Sequence, residues 1–242
     1  MSAFHIDLRA TLRGLAAAPA FTVASVLCLA LGIGANTVVF SWLESMVLRP
    51  YPTIPHSEQL VVLNTAAPNG EDWPLSYPVY REWRERSRSF QGMAAWTVSR
   101  MALREPEQKG AAPVWSMLVS GDYFAVLRVR PALGRSFTRE EERSAAPVAV
   151  LAHEYWSRRF ESDPAVIGRT VLLNGQPITI IGVTPPGFRG TYVGVAFDLW
   201  LPLTLQPRLI GTNTLDDRGA RWLQTIARLA PEVTRAQARS EL

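Results

Sequence analysis

The sequence predicts an α+β protein: one N-terminal transmembrane helix, preceded by an amphipathic interfacial helix and followed by a mixed α/β soluble domain. Three observations carry that prediction. No residue between Arg13 and Glu44 bears a formal charge. From Tyr51 onward the pattern changes to short apolar runs divided by turn signals. An Asn174-Gly175 pair sits between two β-rich runs, the strongest short hairpin signal. With 242 residues and 48% hydrophobic content the chain can build a packed core, which excludes disorder as its general state.

The uncharged stretch covers Gly14 to Leu43, where a bilayer core needs about 20 helical residues. A soluble core helix rarely runs that far without a charge, so the reading is a span over residues 20–48, densest from Phe21 to Leu43. A cleaved signal peptide competes, with Arg9 and Arg13 as its basic region and Ile33–Ala35 as a poor cleavage site. The run continues well beyond that site and exceeds the ~7–15 residues of a usual signal core. Arg9, Arg13 and the terminal amine precede the span, whereas Arg49 stands alone after it until Arg81. Basic residues stay inside, so the N-terminus is expected in the cytoplasm and the region after the span outside.

Over residues 1–18, Phe4, Leu8, Leu12 and Leu15 recur at helical spacing beside a His5, Arg9, Arg13 stripe. That pattern suits a helix lying on the inner membrane surface, its arginines toward anionic headgroups. Pro19 then forms an elbow before the span; the alternative is one long helix with a frayed start. Within the span, Gly32, Gly34, Asn36 and Thr37 stand where leucine would better serve a lone anchor. Small and weakly polar residues let another helix approach closely, so helix packing is expected there. The Gly32-x-Gly34 spacing lacks the preceding strand and surrounding unit of a dinucleotide site.

The soluble domain is expected over 51–242, entered through a proline-rich linker, Pro50 to Pro55. Strands are predicted at Gln59–Thr65, Ala94–Leu103, Ala112–Ser120 and Pro147–His153. Tyr77, Tyr80 and Trp83 recur three apart in Ser76–Phe90, which predicts an amphipathic helix packed by its aromatic side, with Arg81, Arg84, Glu85 and Arg88 on other faces. Gly121-Asp122 is cap-like before a short helix, and Gly134 marks a turn. A helix follows at Glu154–Asp163, then the hairpin Thr170–Val183, then late strands in "DLWLPL" and "WLQTIARL". A final helix begins with Thr234 as N-cap. Its position at the chain end, Leu242, gives the expectation of a fragment of a longer protein.

Charge and motif exclude several functions. The net charge of +4 comes from 25 basic residues, all arginine except Lys109, interspersed with 21 acids. Such mixing, with Glu82 and Glu85 diluting the aromatic helix, argues against nucleic-acid binding. Lys109 lies outside any glycine-rich phosphate loop, so no ATP site of that kind is expected. "HEYWS" has Ser157 where a zinc-protease helix needs its second histidine, and three histidines in all are too few for a histidine metal site. Cys28 is placed in lipid and no G-x-S-x-G elbow occurs. The pairs Glu141-Glu142 and Asp216-Asp217 are read as solvated loop or cap charges. No catalytic, cofactor-binding or metal residues are assigned.

Four stretches in order, "DLRATLRGLAAAPAFTVASVLCLALGIGANTVVFSWLESMVLRPYP", "VSGDYFAVLRVRPALGRSFT", "VAVLAHEYWSRRFESDPAVIGRTVLLNGQPITIIGVTPPGFRG" and "DLWLPL", closely resemble the MacB/FtsX-like ABC transporter permeases. The orphan permease branch common in acidobacteria is the nearest likeness. The resemblance implies a first transmembrane helix and a periplasmic core domain built of a porter part and an inserted strand-rich part. It implies a non-catalytic permease in the bacterial inner membrane for export or mechanotransmission, with ATP bound by a separate cytoplasmic ABC ATPase subunit. Further partners implied are the remaining permease helices or a second permease copy, and a periplasmic adaptor. Coupling between span and domain is placed in the linker, at Trp42, Glu44, Arg49, Pro50 and Pro52. The competing reading is a single-span periplasmic scaffold that needs no ATPase, with an anchored enzyme third.

Overall fold

The computed structural model describes residues 19–43, 53–66, 70–105, 110–192 and 194–242, with backbone alone for 41–43. The chain divides into two compact units, Met1–Pro50 and Tyr51–Leu242. The expected interfacial helix, with Phe4, Leu8, Arg9, Leu12, Arg13 and Leu15, lies outside the described residues. So do Glu44, Arg49, Pro50 and Pro52 of the linker.

In the first unit, α1 runs from Pro19 to Leu43, 25 residues. At 1.5 Å per residue it is about 37 Å long, enough to cross a hydrocarbon core of about 30 Å. Proline suits a helix start, where its missing N–H is no loss. Its apolar side chains point outward all round, Leu31 being 72% exposed and Phe21 71%.

The second unit is built on strands. They are β1 (Leu60–Leu63), β2 (Thr65–Ala66), β3 (Asp72–Trp73), β4 (Phe90–Arg104), β5 (Ala112–Val119) and β6 (Leu133–Gly134). After these come β7 (Val148–Leu151), β8 (Thr170–Leu173), β9 (Gln176–Val183), β10 (Leu199–Pro202) and β11 (Gln224–Leu229). The helices between them are α2 (Tyr77–Arg86), α3 (Tyr123–Leu127), α4 (Arg139–Arg143), α5 (His153–Arg159) and α6 (Gln206–Ile210), and α7 (Arg235–Glu241) follows β11. Among the described residues, nine strands join in one sheet ordered β1-β11-β4-β5-β10-β7-β9-β6, with β8 bridging β4 and β9. The path β4-β5-β10-β7-β9-β8 therefore returns to β4 and closes a ring. Closure removes open edges that would otherwise template further pairing.

Beside the ring, β1 and β4 each pair antiparallel with β11 between them, so β1 runs parallel to β4. Helix α2 makes the crossover, which gives a split β-α-β unit. Two cores result. One gathers Met117, Leu118, Phe124, Val150, Ile180 and Trp200 with the ring. The other packs Leu75, Tyr77, Tyr80, Met93 and Leu223 beneath α2.

The predicted hairpin forms as β8–β9, with Asn174 at φ 48° and Gly175 at φ 82°, the left-handed pair a two-residue turn requires. The Asn174 side chain also accepts from the Ala102 N–H and donates to the Leu209 carbonyl, each at 2.8 Å. Thr234 caps α7 as predicted, in a capping box with Gln237. The aromatic helix stops at Arg86, and Phe90 opens β4 instead of ending the helix. Asp122 does not cap α3 through its side chain; its carboxylate is drawn away by Arg139.

Two charged residues expected in solvent are inside. Glu142 is 1% exposed, and Arg84, 7% exposed in its side chain, meets it at 3.3 Å. Glu142 also accepts from the Tyr77 hydroxyl at 3.1 Å and from the Gly121 N–H at 2.8 Å. That approach explains the glycine, because a Cβ at position 121 would lie 2.7 Å from the Arg139 backbone. Burial above all pushes the Tyr77 and Tyr80 phenols up, keeping both as neutral donors. Its neighbour Glu141 completes a capping box with Thr138 and takes two bonds from Arg135, at 2.7 and 2.8 Å. Asp216 and Asp217 are exposed, as expected.

Removing Glu142 strands a buried guanidinium. Glu142→Ala should lower unfolding stability by about 3–5 kcal/mol, the usual cost of breaking a buried pair on one side. Denaturant unfolding of the detergent-solubilised chain, followed by tryptophan fluorescence, measures it. Glu141 gives a pH prediction. The hydrogen bond from Arg135 holds its carboxyl below the usual carboxylate range. Its contribution is full above the unfolded pKa, about 4.3, and is lost as pH falls through the lower folded value. Glu141→Gln keeps the capping box, so the gap between denaturation midpoints at pH 7 and pH 3 should narrow in the variant.

Candidate functional site

Helix α1 holds Gly32, Gly34, Asn36 and Thr37, and at about 100° per residue they fall on two faces. Gly32 and Asn36 share one, in line with Cys28, which is exposed; Gly34 and Thr37 share another. A Cβ at either glycine would meet nothing within 4 Å, so both are open notches. The Thr37 hydroxyl donates to the Ile33 carbonyl at 2.8 Å, which satisfies it inside its own helix. Asn36 therefore carries the amide that the notch on its face presents outward. Trp42 lies in the last turn of α1.

In the second unit, the first described residues after the linker are fastened tightly. Ile54 is buried in the ring core. His56 turns the chain through the left-handed region at φ 52°, and a short 3-10 turn at Ser57–Gln59 leads into β1. Arg228 of β11 holds this segment. It is 2% exposed and donates to the His56 carbonyl at 2.8 Å, the Pro55 carbonyl at 3.2 Å and the Gln59 Oε1 at 3.2 Å. Its Nε donates to the Val126 carbonyl at 2.8 Å, at the end of α3. Gly92, the partner of Arg228 across β4, keeps α3 close, since a Cβ there would lie 2.9 Å from Val126 Cγ2. Burial, with Arg128 nearby, pulls the guanidinium pKa down; an arginine remains charged even so.

Sequence reading assigned Arg228 no role, although "TIARL" carried a signal: an arginine inside a run of buried strand residues. Between the outer edge of β1 and α7 lies a groove of about 990 Å³, lined among others by Val62, Trp83, Phe90, Arg235 and Arg239. Among the described residues no three His, Cys, Asp or Glu side chains gather as a metal site. His153 starts α5 with its ring against Trp156, centroids 5.5 Å apart.

Comparison with known proteins places the chain. A family model described as the MacB-like periplasmic core domain matches residues 22–242. The probable syringafactin export ATP-binding/permease protein SyfD of Pseudomonas syringae pv. tomato is 33% identical over 104 residues, 43% of this chain and 16% of that protein. The macrolide export ATP-binding/permease protein MacB of Chromobacterium violaceum is 32% identical over 99 residues, 40% of this chain and 15% of that one. The aligned part thus spans about a sixth of the length of these relatives. In fold, the periplasmic region of MacB from Actinobacillus actinomycetemcomitans superposes with a TM-score of 0.59 at 15% identity, covering 78% of this chain and 85% of that one. The extracellular domain of the transporter YknZ from Gram-positive bacteria gives 0.53 at 16% identity, covering 75% and 86%. With an apolar helix leading into a strand-rich α+β domain of that fold, and a family match running from within the helix to the last residue, the chain belongs to the MacB-like periplasmic core domain family.

Proposed function

We propose that the chain is the N-terminal part of a non-catalytic permease subunit of an ABC-type export or mechanotransmission system, anchored in the bacterial inner membrane by α1. The observation that carries this reading is the family match across both helix and domain, joined to relatives named as export ATP-binding/permease proteins. In this reading the N-terminus is cytoplasmic, the 1–18 helix lies along the inner surface, and the domain stands in the periplasm. The single lysine of the sequence, Lys109, lies outside any glycine-rich phosphate loop, and in this reading ATP would be bound by an ABC ATPase component on the cytoplasmic side. The notches at Gly32 and Gly34 would receive the remaining permease helices or a second permease copy, and a periplasmic adaptor would meet the domain. The linker from Trp42 through Glu44, Arg49 and Pro50 to Pro52 would carry movement between membrane and domain.

Topology is the most direct test. A reporter active only in the cytoplasm should work when fused at Ser2, and one active only in the envelope should work after Leu242; both ends in one compartment would overturn the reading. Helix packing has its own test through Cys28, which shares a face with Gly32 and Asn36. Oxidative cross-linking at Cys28 in membranes should fall several-fold in Gly32→Leu and stay unchanged in Val38→Leu, because a bulky side chain in the notch holds the facing helix away.

A further inference from the structure

We propose that Arg228 is the positioning residue that fastens the entry segment of the domain, pinning Pro55–Gln59 to β11 so that a pull arriving along the chain at Pro55 reaches the sheet. This rests on the permease reading and adds to it the residue through which movement passes.

The chemistry of the site separates it from an ordinary buried ion pair. Arg84 is neutralised by Glu142, whereas Arg228 has no carboxylate within ion-pair distance among the described residues. Its bonds go to the backbone carbonyls of Pro55, His56 and Val126 and to the Gln59 amide oxygen. A guanidinium placed to balance charge would face an acid; one whose planar fork meets successive carbonyls holds a stretch of main chain in place. Three of its four acceptors belong to residues 55–59, the first turn after the linker. The other end of the joint is stiff. Arg228 itself pairs with Leu60 on one side and Gly92 on the other, so a pull on His56 reaches β1, β11 and β4 together, and α3 through Val126. Ile54, 5% exposed, plugs the same segment into the ring core.

Two measurements decide it. Hydrogen exchange is followed in the 242-residue chain held in lipid nanodiscs, comparing wild type, Arg228→Met and the milder Arg228→Lys. Arg228→Met, which keeps the apolar stem, should speed exchange of the amides at 56–60 by at least about tenfold while β5, β7 and β10 change by less than about twofold. Arg228→Lys should fall between. Faster exchange throughout the domain in both variants would make Arg228 a general stabiliser and overturn the joint, as would no change at 56–60. In the full-length permease with its ATPase, Arg228→Lys should leave ATP hydrolysis within about twofold yet cut export several-fold; hydrolysis and export falling in proportion overturns the coupling role. Finding Ser2 and Leu242 in one compartment overturns the permease reading itself, while the exchange result still decides the anchor.

Discussion

Strand β4 has to serve two assemblies at once, and the architecture of the domain follows from that. Its first residues, Phe90 to Trp96, pair with β11 and so belong to the split β-α-β unit under α2. From Trp96 onward it pairs with β5, and its last residues, Leu103 and Arg104, reach β8 and close the ring. A strand buried on both faces over part of its length and half-exposed over the rest cannot keep one simple alternation. Met93, Ala94, Ala95 and Trp96 are all buried, whereas Val98, Arg100, Ala102 and Arg104 point outward. Because the two assemblies share the continuous backbone of β4, the placement of each constrains the other.

The charged interior reinforces that sharing. Glu142 stands in α4, at the ring, and its partners Tyr77 and Arg84 stand in α2, over the other core. The Thr204 hydroxyl donates to the Glu142 backbone carbonyl as well, so the loop after β10 is tied to the same point. Hydrophobic packing alone would let α2 slide over its sheet at small cost, since apolar contacts are non-directional. A carboxylate accepting from a phenol, a guanidinium and a backbone N–H fixes one register of helix against ring. Directional bonds in a dry site give position where burial gives cohesion.

What the sequence revealed, and what it hid, divides along the same line. Signals confined to neighbouring residues were legible: the uncharged run that became α1, the Asn174-Gly175 turn, the Thr234 cap three residues before Gln237. The resemblance to permeases of this family was equally visible, because its motifs are local and ordered along the chain. Glu142, Arg84 and Arg228 were not read correctly, because whether a charge points inward depends on a partner far away in sequence. Arg84 and Glu142 are 58 residues apart, and Arg228 meets His56 across 172. Local patterning treats a charged residue as a mark of the surface, and does so with good reason. The helix boundary at Ser87–Phe90 failed for a related cause: an aromatic continuing the apolar pattern of α2 was claimed by pairing with Leu229 of β11.

The two inward arginines then have different consequences for the domain. The Arg84–Glu142 pair joins parts that are already within the folded domain, so it sets rigidity. Arg228 instead joins the domain to the one covalent path leading back to α1. Its four acceptors are neutral carbonyls and an amide, which have no proton to take up in the physiological range, while the Glu58 carboxylate acts on the guanidinium only through its charge. A salt bridge in that position would weaken as its carboxylate took up a proton. In the proposed permease, a clasp on the backbone at the linker's end is the arrangement that keeps a displacement arriving there from being lost as local unfolding of Pro55–Gln59.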